Sequence, residues 1–211
     1  MLKLKIDNKE YQLPLDWEEV TLNQYARVRE LKPEADAIDL AAALLGIDVV
    51  TLKNADLANF HLTIGVNLGW VGRTIEFSKP DVVDYNGKVL NVPNGFEALK
   101  FGQKLLFQNT AISNTNGVEV NPKCYANLLA IVFAREVENP YNDKTIENLT
   151  EWFGSYPIAN AKPLIDFFLK GLLKSLTENK STLAASPTPT HKLRGWKGLL
   201  SIGRTRKSVQ S

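Results

Sequence analysis

Few residues of this chain have the types and spacing that catalysis or metal binding requires. Its 211 residues include two histidines and one cysteine, so a nucleophilic site with a histidine base would have to use His61 or His191. His61 lies in a helical pattern without a partner at a suitable spacing, and we interpret it as a packed histidine. Cys124 alone can form neither an intrachain disulfide nor a cysteine-built metal site. We therefore predict no catalytic, cofactor-binding or metal-binding residues, and a protein that is not an enzyme.

One group of carboxylates has a composition that could support acid–base chemistry. Acidic residues occur at Glu136, Glu138, Asp143 and Glu147. If two of them were buried together, their pKa values could be pushed apart, as a general acid and a general base require. A solvated loop between two helices explains the cluster without a further partner, and we favour that interpretation.

A second set of polar residues recurs along the chain. Residues 13–24 align without a gap on residues 92–103, an offset of 79 positions. This period is too long for a solenoid unit and indicates a duplicated module of a hairpin plus helices. The identical pairs are Pro14/Pro93, Glu18/Glu97 and Gln24/Gln103, and the apolar pairs are Leu13/Val92, Trp17/Phe96, Val20/Leu99 and Leu22/Phe101.

The repeated glutamates have two interpretations. Glu18 and Glu97 could belong to a duplicated active site. Alternatively, each could cap free amides at a helix start or hold the hairpin to the helix, which we favour. If the duplication is real, Trp17 and Phe96 should occupy equivalent sites.

Alternation and turn chemistry predict two β-hairpins. The first joins residues 2–6 to residues 10–13 through the turn Asp7-Asn8-Lys9, and Pro14 ends it because proline cannot donate to a ladder. The second turns at Asn86-Gly87, which tolerates positive φ at both residues. Its second strand is residues 89–92, and its first is residues 74–77 or 82–85.

Capping residues and helical spacing predict the remaining elements. In the first half, Thr21 is the expected N-cap of one helix, Gly46 closes a helix over residues 37–45, and Thr51 caps a helix that contains Leu57, Phe60 and Ile64. In the second half, we expect one helix through residues 105–107 and another over residues 122–135. Thr145 is then expected to cap a short helix, and Pro163 to open the last helix of the body.

Charge separates a body from a tail. From Asn179 onward the chain has seven basic residues and no acidic residue, so the net charge of +2 leaves −5 on residues 1–178. Residues 181–190 are small, polar and proline-containing, which predicts a linker. We expect an α+β fold dominated by helices, with two related halves (1–75 and 76–178), each begun by a β-hairpin. Residues 179–211 are expected to form a linker and a disordered basic tail.

The tail mixes cations with apolar anchors. It could fold on binding an acidic groove of a partner, bind nucleic acid through phosphates, attach to a membrane surface, or stay a disordered solubilising segment. Gly195 and Gly198 argue against a stable isolated helix. The predicted contact residues are Trp196, Leu199 and Leu200 together with Lys192, Arg194, Lys197, Arg204, Arg206 and Lys207.

The apolar side chains of the last helix of the body also have more than one interpretation. Its large apolar side chains cover a wider face than one core contact needs, so they either fill the core or form a face for an oligomer or another partner. The candidates for partner contact are Phe167, Phe168, Leu172 and Leu173. The sequence has no apolar run long enough for a membrane span, and we expect a cytoplasmic protein.

The residues that follow the first hairpin resemble a known family. The pattern Trp-Glu-x-Val-Thr-Leu-x-Gln-Tyr at residues 17–25 is similar to that of the small tail-assembly chaperones of tailed bacteriophages, especially Bacteroidetes-type phages. Phe101-Gly102-Gln103 and the Pro-Leu-Ile-x-Phe-Phe run at residues 163–168 resemble the same group. The resemblance covers residues 1–178 as scattered short motifs, none of them catalytic.

This resemblance implies a non-enzymatic protein of tail or virion morphogenesis that uses no cofactor. It would act through protein–protein contacts with a tape-measure, tail-tube or connector component, in the host-cell cytoplasm or in the virion. The basic tail departs from the family pattern. A virion connector, a baseplate adaptor and a nucleic-acid-binding accessory protein therefore remain alternatives, and association with further copies of the chain is a second form of partner contact.

Overall fold

A computed structural model describes residues 1–55, 68–72, 77–115 and 119–184, with side chains up to residue 178. Within these residues the fold is α+β and dominated by helices, with two antiparallel β-hairpins, which confirms the predicted fold class. The first strand of the second hairpin is the later of the two predicted candidates.

The elements occur in the same order in the two halves of the chain. The first half contains strands β1 (Leu2–Ile6) and β2 (Lys9–Leu13), a 3-10 helix (Trp17–Glu19), and helices α1 (Leu22–Arg29), α2 (Ala37–Leu45) and α3 (Val49–Asn54). The second half contains β3 (Val82–Tyr85), β4 (Lys88–Asn91), a 3-10 helix (Phe96–Ala98), and helices α4 (Phe101–Ser113), α5 (Tyr125–Val137) and α6 (Asp143–Gly154). A further 3-10 helix (Pro122–Cys124) leads into α5, and α7 (Ile158–Ala184) follows α6.

The two hairpins have the same register and the same kind of turn. Ile6 pairs with Lys9 in the first, and Tyr85 pairs with Lys88, at the offset of 79, in the second. Both central turn residues have positive φ in each hairpin: 47° and 63° at Asp7-Asn8, and 51° and 82° at Asn86-Gly87. These turns fit the right-handed twist of the strands.

The repeat continues into the first helix of each half. Trp17 and Phe96 are the first residues of their 3-10 helices, and each carbonyl accepts a hydrogen bond from the amide three residues later. The following α-helices, α1 and α4, begin at equivalent residues. Trp17 and Phe96 therefore occupy equivalent backbone positions, but their rings have different neighbours: Trp17 packs against Tyr25 and Trp70, and Phe96 against Phe107.

The predicted capping residues are partly wrong. Thr21 does cap α1, and Gly46 closes α2 with φ of 71°. Asp48 and Asn142, however, are the N-caps of α3 and α6, and each accepts a hydrogen bond from the amide of the threonine three residues later. Thr51 and Thr145 thus lie inside their helices, because an Asp or Asn three positions upstream is the stronger cap.

The last helix is longer than predicted at both ends. It begins at Ile158 rather than at Pro163, because the carbonyl of Pro157 accepts from the amide of Ala161 at 3.0 Å and starts the helical ladder. Pro163 is tolerated inside α7, where it removes one ladder hydrogen bond. At the other end, α7 continues to Ala184 and so includes the start of the predicted linker. Residues 181–184 contain no glycine or proline that would end a helix.

The core is centred on α5. Seven consecutive side chains of this helix, residues 128–134, are at most 1% exposed. The helix packs most extensively against α6, where the rings of Phe133 and Phe153 are 5.5 Å apart. α7 contacts the 3-10 helices of both halves, so it joins the two repeats along its length.

Some predictions fall on residues outside the described part of the chain. They include the helix through Leu57, Phe60 and Ile64, the alternative strand at residues 74–77 apart from Phe77, and the tail from residue 185 onward.

Candidate partner-binding surface

The four clustered carboxylates are exposed. Glu136 lies near the end of α5, Glu138 follows that helix, and Asp143 and Glu147 lie in α6. Glu138 accepts hydrogen bonds from Asn142 and Thr145. The carboxylates are therefore solvated, as we favoured, but only Glu138 lies in the connection between the helices. Among the described residues, no group of three or more His, Cys, Asp and Glu side chains could hold a metal ion. His61 and His191 lie outside the described residues.

The only cysteine is buried. Its thiol is 7% exposed and donates to the carbonyl of Asn121 at 3.1 Å, and burial raises the pKa of Cys124 to about 11. A reactive cysteine needs a thiolate at neutral pH, which this environment disfavours.

The repeated glutamates do not cap the helices, contrary to our expectation; the repeated glutamines do. Gln24 and Gln103 accept hydrogen bonds through Oε1 from the amides of Thr21 (2.9 Å) and Lys100 (3.3 Å) at the helix starts. Their Nε2 groups donate to carbonyls of the next helix, Leu44 in the first half and Ile131 and Val132 in the second. Glutamine suits this position because its amide can accept at one atom and donate at the other.

Two of the predicted contact residues on α7 are in the core. Phe168 is fully buried and Leu172 is 4% exposed, so they cannot contact a partner, because the helix turns this face toward α4 and α5. Phe167 is half-buried beneath Lys79, whose Nζ lies 5.1 Å from the ring centroid. Only Leu173, 62% exposed, is available among the four. The predicted tail contacts, from Lys192 to Lys207, lie outside the described residues.

A further exposed apolar surface lies on α4. Phe101 is 82% exposed, Leu105 47% and Ile112 39%. At about 100° per residue, these three side chains project within about 40° of one another. The opposite face of α4 holds the buried residues Gln103, Phe107 and Ala111. Helix α4 therefore has two apolar faces, of which the fold covers one. We call Phe101, Leu105 and Ile112 the α4 stripe.

Sequence reasoning missed the α4 stripe because it treated Phe101 as the equivalent of Leu22. The backbone equivalence holds, but Leu22 is 2% exposed. The spacing of Phe101, Leu105 and Ile112 beside a separate buried face was the signal available in the sequence, since one core contact does not need both faces.

A groove of about 420 Å³ adjoins the stripe, between α4 and the end of α7. Glu97 lies at its edge and links the two helices: its carboxylate forms hydrogen bonds with Lys104 and Ser175, which lower the pKa of Glu97 below its usual value. Lys104 in turn covers Phe96, with Nζ 5.9 Å from the ring centroid, where the equivalent Tyr25 packs edge-on against Trp17. The groove is thus lined by Phe96, Phe101 and Leu105 on its apolar side and otherwise by polar or charged side chains.

The α4 stripe is an apolar contact surface and not a set of reacting groups. None of the helices in the described ranges has the length and apolar character to cross a membrane. No protein-family model, curated protein or solved structure matches the chain.

Proposed function

We propose that this chain is a non-enzymatic protein of bacteriophage tail or virion assembly, similar in role to a tail-assembly chaperone, and that it acts by protein–protein contact. The observation that carries the proposal is the α4 stripe. Three large apolar side chains on one face of a helix are exposed beside a groove, and such a patch is typical of a protein-binding surface.

The resemblance of residues 17–25 and 101–103 to tail-assembly chaperones supports the choice of partner class. On this basis the partner is a tape-measure, tail-tube or connector component, met in the host cell during assembly. The residues of the motif build the turn between hairpin and helix in each half, and the second copy of that turn begins the α4 stripe.

Co-expression tests the proposal. The tagged chain is co-expressed with each structural protein encoded beside it, and the complex is isolated at low and high salt. We expect one tail protein to co-purify, and Phe101→Asp to abolish the complex while Leu106→Asp leaves it intact. Leu106 is the matched control because it is 38% exposed on the same helix but points away from the stripe.

Two results would contradict the proposal. One is a complex with a tail protein that survives Phe101→Asp. The other is salt-sensitive binding to random DNA as the only detectable interaction, lost on deletion of residues 185–211, which would favour the nucleic-acid alternative.

A further inference from the structure

The two repeats differ in one respect that indicates what binds the α4 stripe. In the first repeat, the extended residues Val20 and Thr21, with Leu22 at the start of α1, form an antiparallel bridge with residues 156–158. The amide of Leu22 donates to the carbonyl of Tyr156 at 3.0 Å, and the amide of Ile158 donates to the carbonyl of Val20 at 2.7 Å. This internal segment, Tyr-Pro-Ile, lies against the start of α1, and both Leu22 and Ile158 are buried.

The second repeat has the same backbone at this point, but no segment among the described residues forms an equivalent bridge with it. Leu99 and Lys100 are extended, with φ/ψ of −67°/147° and −73°/157°, close to the −78°/129° and −84°/163° of Val20 and Thr21. Within the described residues, neither the carbonyl of Leu99 nor the amide of Phe101 takes part in a backbone–backbone hydrogen bond.

The first side chains of α1 and α4 also differ between the two repeats. Leu22, whose amide donates to the carbonyl of Tyr156 in the internal segment, is 2% exposed, and Phe101, its equivalent, is 82% exposed. Leu105, one turn further along α4, continues the uncovered surface. The second repeat therefore presents the backbone groups with which the first repeat binds residues 156–158, and it presents them beside an exposed apolar surface.

We propose that residues 99–101 and the α4 stripe bind an extended, apolar and uncharged peptide segment of a partner protein, in the antiparallel arrangement that Tyr156–Ile158 adopts on the first repeat. The backbone groups of Leu99 and Phe101 supply two hydrogen bonds, as when a peptide adds a strand to a free edge. An apolar side chain of the peptide covers Phe101 and Leu105, which are 82% and 47% exposed in the free protein. This inference rests on the proposed function and specifies the partner's chemistry.

The chain itself supplies the probe for a test. A capped peptide with the sequence of residues 154–160, Gly-Ser-Tyr-Pro-Ile-Ala-Asn, is titrated into the ¹⁵N-labelled full chain and followed by NMR. We expect saturable shifts at the amides of residues 99–105. Phe101→Asp should weaken binding at least about tenfold, which corresponds to 1.4 kcal/mol. Leu106→Asp should leave the affinity unchanged, and a peptide carrying the equivalent of Ile158→Asp should not bind.

Other occupants give different results, and each would overturn the inference. If residues 185–211 cover this surface, their deletion will shift the resonances of residues 99–105 in the free protein. If a second copy covers it, Phe101→Asp will lower the mass measured by sedimentation. Absence of saturable shifts at residues 99–105, or shifts confined to Val20–Leu22, also overturns it. If the peptide fails while Phe101→Asp still abolishes co-purification of the tail protein, the proposed function stands and only the binding mode is wrong.

Discussion

Gln103 is the polar residue on which the second repeat most depends. It is 3% exposed, and its amide joins the start of α4 to two carbonyls of α5, at 2.9 and 3.1 Å. A buried amide with all its groups paired fixes the position of one helix against another, whereas an unpaired buried group costs about 1–3 kcal/mol.

Replacing this amide with an isosteric carboxylate should be costly. In Gln103→Glu, an oxygen takes the place of the donating Nε2 and faces the carbonyls of Ile131 and Val132. We expect the free energy of unfolding at pH 7 to fall by at least about 2 kcal/mol, measured by urea denaturation. Gln24→Glu is the matched control, with a smaller loss because Gln24 is only half-buried. Equal losses of unfolding free energy in Gln103→Glu and Gln24→Glu would contradict the claim that the deeper burial of Gln103 makes its amide the more important.

The raised pKa of the Cys124 thiol predicts a loss of stability at alkaline pH. Its pKa is about 11 in the folded protein, against an ordinary value of 9.0, because burial disfavours the thiolate. A group whose pKa is raised by folding contributes stability that is complete below the unfolded pKa and is lost as the pH rises toward the folded pKa. The thiol's contribution should therefore decline between pH 9 and pH 11.

Urea denaturation of the wild type and of Cys124→Ala, at several pH values from 8 to 10.5, checks this. The difference in unfolding free energy between the two proteins should shrink as the pH rises. Burial also raises the pKa values of Tyr125 and Tyr156, but both tyrosines are present in both proteins and their effect largely cancels in the difference. A difference that is constant with pH would show that the thiol titrates normally.

At the scale of elements, the contact between α7 and the second repeat depends on a glycine. A Cβ added at Gly171 would lie 2.7 Å from Cβ of Phe96 and 3.3 Å from its backbone nitrogen. Neither atom can move without shifting the 3-10 helix or α7. Gly171→Ala should therefore lower the free energy of unfolding by about 1–3 kcal/mol, the usual cost of overpacking.

Gly102→Ala is the control for this variant. Gly102 also lies in a helix, but the nearest atom to an added Cβ is the hydroxyl of Tyr141 at 3.7 Å, an ordinary contact. There the change should raise stability by up to about 1 kcal/mol, because alanine is the better helix former. Thermal unfolding of both variants gives the comparison. If Gly171→Ala were also stabilising, α7 and the 3-10 helix could not be as close as described.

Elements governed by local chemistry could be predicted from the sequence, and those governed by distant contacts could not. Asn86-Gly87 alone predicted the turn of the second hairpin, and Thr21 predicted the start of α1. The start of α7 could not be read from its own residues, because the amide of Ile158 is held by the carbonyl of Val20 from the far end of the chain. The match of Phe101 with Leu22 likewise predicted a shared backbone position but not a shared exposure, because the burial of a side chain depends on contacts with distant parts of the chain.

At the scale of the molecule, the two repeats share a backbone but not an environment. The segment between α6 and α7 lies against the first repeat, and α7 then passes along the second with Gly171 against Phe96. The segment between α6 and α7 forms backbone hydrogen bonds with the start of α1, and among the described residues no segment does so at the start of α4.

This asymmetry can be measured with a pair of equivalent substitutions. Leu22→Ala removes a buried side chain at the start of α1 and should lower the free energy of unfolding by about 2–5 kcal/mol. Phe101→Ala removes a larger side chain from the equivalent position, yet it should change stability by no more than about 0.5 kcal/mol, because that side chain is 82% exposed. Urea denaturation of both variants in the full chain provides the comparison. A loss at Phe101 as large as that at Leu22 would mean that the second helix start is covered within the free protein, and the α4 stripe would then not be available to a partner.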